Sequence, residues 1–173
     1  MTSLHEPVME LVRASLDPSA ERARTRQESP VCQVVIRAAE SDLASGGMEK
    51  VIQLAIGTGM AAAGLTAWLA QERGLQTDEM VAKLEQARPQ GRSLQGPVLE
   101  MLKSLLTGPP GMQQTAEFMV TLFHHDEEAF YDLIVDLGSY TAVCIDMLNA
   151  LEISSVEKIL EDLEDMLVTF FAK

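Results

Sequence analysis

The chain has 173 residues, of which 47% are hydrophobic, 5% are aromatic and ten are Met, and it carries a formal net charge of −13. That length and apolar content suit one packed domain, or two small units sharing a core, with an aliphatic interior filled out by Met. They exclude general disorder, and the negative charge argues against nucleic-acid binding, which needs Lys and Arg at the phosphates.

The opening stretch MTSLHEPVMELVRASLD mixes charges with apolar residues, so it lacks the basic start and apolar run of a signal peptide. Val8, Leu11, Val12 and Leu16 recur at helical spacing, which predicts a helix over 5–17 with Pro7 in its first turn. Residues 18–30 are polar, bounded by prolines and rich in Arg, and read as a mobile loop with a short helical turn around 20–26. Its Arg22, Arg24 and Arg26 suit a solvated loop better than a phosphate site. A helix over 31–43 then closes at Ser45-Gly46-Gly47, and the next runs from Met48 to Arg73 with Gly74 as its stop.

Thr77-Asp78-Glu79 opens a helix that reaches about Arg88, because a capping hydroxyl and early acids suit a helix N-terminus. Residues 88–97 are expected as a loop, followed by a short helix over 98–106 and a stop at 107–111. Three further helices are predicted over 113–124, 126–151 and 155–172. No strict alternation persists, so the fold class is all-α, a bundle of about seven or eight helices. A faint internal echo suggests two related three-helix units, 31–88 and 112–173, each with a long helix carrying Gly57 or Gly138 and a following helix opened by Thr77 or Ser155.

The uncharged stretch VIQLAIGTGMAAAGLTAWLA, residues 51–70, admits three readings. As a membrane span its length is right. Only Val51, Ile52, Leu54, Ile56, Leu65 and Leu69 favour lipid strongly, at roughly −0.3 to −0.6 kcal/mol each. Gln53, two Thr and three Gly oppose them, and Lys50 and Arg73 flank both ends. As a dinucleotide site, Gly57-Thr58-Gly59-Met60-Ala61-Ala62 matches the glycine fingerprint after a would-be strand over 51–56. Asp78 and Glu79 lie near the distance for a ribose-binding acid, yet they open a helix rather than end a strand. A buried core helix fits best: Ala55, Gly59 and Ala63 are four apart, as are Gly57 and Ala61, so small residues line one side where a neighbour approaches.

Three constellations are candidates for function. The charge is uneven: residues 1–103 carry 11 basic and 13 acidic groups, whereas residues 104–173 carry Lys158 and Lys173 against 13 carboxylates. Glu128, Asp132 and Asp136 step by four along one helix face, and Glu157, Glu161 and Asp165 lie opposite the apolar stripe of the last helix. An acidic face of this kind solubilises a protein or docks a basic partner. The second constellation is an apolar pocket near Met60, Trp68 and Met119. The third is a metal or acid–base set of His124, His125, Glu128 and Asp132, whose plainer reading is a helix–turn–helix corner. Cys32 and Cys144 are isolated and read as core thiols, which suits a reducing cytoplasm.

The expectation is therefore a cytoplasmic, non-enzymatic interaction or regulatory protein that meets a basic protein through its acidic C-terminal third. No cofactor, nucleic acid or membrane enters that reading, and self-association into a homo-oligomer stays open. A ligand pocket at Trp68 ranks second, and a His/carboxylate enzyme third.

Overall fold

A computed structural model describes residues 3–17, 28–87, 96–106 and 109–172 of the chain. The regular elements among them are α1 (Glu6–Leu16), α2 (Pro30–Ser45), α3 (Glu49–Glu72), α4 (Thr77–Ala87), α5 (Gly96–Leu106), α6 (Pro109–His125), α7 (Glu127–Ala150) and α8 (Val156–Phe171). The all-α reading holds. Arg22, Arg24 and Arg26, with most of the expected loop at 18–30, lie outside the described residues, as do 88–95.

Local chemistry explains the helix ends. Ser29, Asp126 and Ser155 stand just before α2, α7 and α8, and their side-chain oxygens accept the amides of Cys32, Ala129 and Lys158 at 3.3, 3.1 and 3.2 Å. The loop expected up to residue 30 thus ends one residue earlier, since Pro30 opens α2. Pro97, Pro109 and Pro110, expected in loops, also stand in the first turns of helices, where a missing N–H costs nothing. The would-be strand over 51–56 is instead part of α3, so the glycine fingerprint has no strand before it.

The eight helices repeat as two sets of four. Their lengths run 11, 16, 24 and 11 residues for α1 to α4, and 11, 17, 24 and 16 for α5 to α8. The packing repeats as well: α1 lies on α2, α3 and α7, while α5 lies on α6, α7 and α3. The first helix of each set therefore packs on the long helix of both sets. The sequences agree once the helices are set side by side, EPVMELVRASL for α1 and GPVLEMLKSLL for α5. The repeat of lengths and packing takes in α1 and α5, and it matches Gly138 with Gly59 rather than with Gly57 as in the sequence echo.

The two 24-residue helices, α3 and α7, form the most extensive contact and the centre of the molecule. Setting Gly59 beside Gly138 pairs Leu54 with Leu133, Ala62 with Thr141 and Leu69 with Leu148, all of them buried. Both glycines perform the same task. A Cβ at Gly59 would run into Met101 and Leu105 of α5, and one at Gly138 would lie 2.8 Å from Ser15 and 3.3 Å from Leu11 of α1. The small residues of α3 serve two sides rather than the one expected: Gly59 faces α5, whereas a Cβ at Gly57 would meet Val8 of α1 and Phe171 of α8.

By length and composition α3 and α7 are each apolar enough to cross a membrane, with mean hydropathy of 1.4 and 1.3 in their most apolar stretches. Of those stretches, 61% and 56% of the residues are buried against other helices.

Candidate functional site

The acidic candidates occupy two helices. On α7, Glu128 and Asp132 are exposed and Asp136 is half-buried, at the four-residue spacing that puts them on one face. On α8, Glu157, Glu161 and Asp165 are exposed, while Ile159, Leu163 and Leu167 are buried below them. This is the amphipathic arrangement its spacing predicts. Lys158 lies among the acids, 3.0 Å from Asp162 and 3.5 Å from Glu161, and their carboxylates raise its pKa.

An open cleft of about 560 Å³ is lined by Arg13 of α1 and by Ser155, Glu157, Lys158, Leu160, Glu161 and Glu164 at the start of α8. Glu164 ties the two helices together, 3.6 Å from His5 and 3.8 Å from Arg13. The cleft mixes both signs of charge, so it offers no preference for an anion or a cation.

The corner His124-His125-Asp126-Glu127-Glu128 joins α6 to α7. Both His are exposed in the last turn of α6, where the helix dipole favours them, and Asp126 caps α7. The ring of His124 stands edge-on to Phe123 at 5.8 Å, in a cluster with Phe130 and Tyr131. Tyr131 donates to Glu127 at 2.6 Å, and burial, with the Glu127 carboxylate, pushes its hydroxyl pKa well up. Among the described residues no group of three or more His, Cys, Asp or Glu is placed to hold a metal ion. The proposed set His124, His125, Glu128 and Asp132 therefore does not converge; its residues belong to a capped corner and the exposed helix face that follows.

The pocket candidates are also spread apart in character. Met60 and Trp68 are half-buried on α3, and Met119 is fully buried in α6. The Trp68 indole donates to Glu72 at 3.3 Å, one turn along its own helix, so its polar tip is turned toward the surface.

Two polar features escape a reading of the sequence. Asp42 is 4% exposed near the end of α2, and its carboxylate accepts the amides of Lys50 and Val51, both at 2.9 Å. It thereby caps the next helix from outside it, satisfying donors that α3 leaves open. The second is at the α3–α7 contact, where the Thr66 hydroxyl bonds the Ala62 carbonyl at 2.7 Å and shares a 2.6 Å hydrogen bond with the Tyr140 hydroxyl, which either group can donate. Burial pushes the neighbouring Cys144 thiol up to about 12, against the hydrogen bonds it shares with Tyr140 and Thr66, which keeps it protonated and unreactive at neutral pH. No buried side-chain nitrogen or oxygen among the described residues lacks a hydrogen-bond partner.

Compared with protein-family models, curated proteins and solved structures, the chain matches none.

Proposed function

We propose that this is a non-enzymatic interaction or regulatory protein, cytoplasmic, that binds a basic protein through the acidic surface of its C-terminal part. The observation that carries the reading is the placement of charge. From residue 104 onward there are 13 carboxylates against two lysines, and Glu128, Asp132, Glu157, Glu161 and Asp165 stand exposed on α7 and α8. A field of one sign attracts an opposite surface, speeds encounter and repels a second copy of itself.

Affinity purification of the tagged full chain, followed by mass spectrometry, identifies what it retains. Retention is then compared in a Glu128→Lys, Asp132→Lys, Asp136→Lys variant shown to be folded by circular dichroism. The expected result is loss of a basic partner, whose binding to the wild type weakens with salt. If the same partner remains at full strength, the reading is wrong.

A further inference from the structure

The four-helix repeat sets two outward helix faces in correspondence. On α3, Gly57 and Gly64 form a stripe on which the last turns of α8 rest: a Cβ at Gly57 would lie 2.9 Å from the Phe171 ring, and one at Gly64 2.8 Å from the Met166 sulfur. With Gly59 beside Gly138, the matching positions on α7 are Asp136 and Val143. The counterpart of α8 is α4, described over 11 residues, Thr77–Ala87, against 16 for α8. In the same register Met166 of α8 corresponds to Ala87, the last described residue of α4.

The α7 face has the make-up of a docking surface. Val143 is 43% exposed, Met147 is half-buried one turn on, and Leu151 is 43% exposed a turn later. Asp132 and Asp146 are exposed beside this apolar line, and Asp136 is half-buried. Asp132 and Asp136 have partners within the fold, so they contribute the sign of the field rather than open hydrogen-bonding sites. Desolvation raises the pKa of Asp146, as expected for a carboxyl set against apolar surface.

We propose that this face of α7 docks an amphipathic helix of a basic protein, much as α3 holds α8. Apolar side chains spaced by a turn cover Val143, Met147 and Leu151, and Lys or Arg along the helix edge meet Asp132, Asp136 and Asp146. The proposal rests on the reading that the acidic C-terminal part binds a basic protein, and it specifies the form that partner takes. The fold itself supplies the precedent, because α8 shows how a helix sits at the corresponding place. Charge excludes the α8 of a second copy, whose exposed side carries Glu157, Glu161, Asp162 and Asp165 against Lys158.

The probe is a synthetic peptide of residues 156–171 in which Glu157, Glu161, Glu164 and Asp165 are all replaced by Lys, with a fluorescent label. Its anisotropy is measured against the full-length protein, beside a scrambled peptide of equal composition and the unaltered acidic peptide. We expect the basic helical peptide alone to bind, and Val143→Glu and Asp146→Lys each to weaken it by about tenfold or more, with unchanged circular dichroism. Absence of binding, or equal binding to wild type and Val143→Glu, overturns the proposal. If helical and scrambled peptides bind alike and both are lost in the Glu128→Lys, Asp132→Lys, Asp136→Lys variant, the helix groove fails while the acidic-surface reading survives.

Discussion

Replacing Glu152 by glycine tests the backbone logic of this fold at a single position. Among the described residues three helices end in the same way, with an amide just past the helix reaching back five residues to a carbonyl in the last turn. The bonds are Gly47 to Asp42 at 3.0 Å, Leu75 to Ala70 at 2.9 Å and Ile153 to Leu148 at 3.1 Å. In each case the residue before that amide has left-handed backbone: Gly46 with φ 78°, Gly74 with φ 64° and Glu152 with φ 57°. Glycine takes this conformation freely, whereas an L side chain there costs about 1–2 kcal/mol. A glycine at 152 removes that strain but gives the unfolded chain more freedom, which offsets about 0.4–1 kcal/mol. The net expectation is a gain of about 1 kcal/mol, or a rise of about 2–4 °C in Tm for a chain of this size. Differential scanning calorimetry and urea unfolding measure it, with Gly74→Ala as the converse variant, expected to lose a similar amount. A Tm that falls with Glu152→Gly, or is unmoved by Gly74→Ala, refutes the reasoning.

Two further outcomes follow from the buried polar groups. Asp42→Ala strips the Lys50 and Val51 amides of their acceptor, and urea unfolding should record a loss of about 1–3 kcal/mol; a neutral substitution would mean that water satisfies those amides equally well. Cys144 stays protonated in the folded protein to about pH 12, whereas its unfolded counterpart ionises near 9.0. Its contribution to stability is therefore complete below pH 9 and declines as pH rises toward 12. Unfolding curves at pH 8 and 10.5 should show a smaller alkaline loss in Cys144→Ala than in the wild type.

The candidate surfaces were only partly legible in the sequence. The four-residue spacing of Glu128, Asp132 and Asp136 announces a shared helix face, and the apolar stripe of α8 turns Glu157, Glu161 and Asp165 outward. Periodicity says nothing of where a face lies relative to other helices, and so it missed the counterpart surface at Val143. That surface is recognised only once Gly57 and Gly64 are seen beneath α8. The His124, His125, Glu128 and Asp132 set was misleading for a related reason. Residues adjacent in sequence across a helix corner need not converge, and among the described residues no group of three or more His, Cys, Asp or Glu is placed to hold a metal ion.

By itself the sequence determined the helices and many of their ends. Apolar spacing, the caps Ser29, Asp126 and Ser155, and the glycines at 46 and 74 act within a turn or two of chain, so their effects can be read locally. Only the tertiary structure decided which side of α3 meets α5 and which meets α8, and that α1 and α5 each pack on both long helices. It also brought Asp42 to the amides of Lys50 and Val51, and Tyr140 to Thr66. Those choices depend on the fit of side chains and hydrogen bonds between segments far apart in sequence, where many pairings share the same hydrophobic pattern and close packing selects one of them.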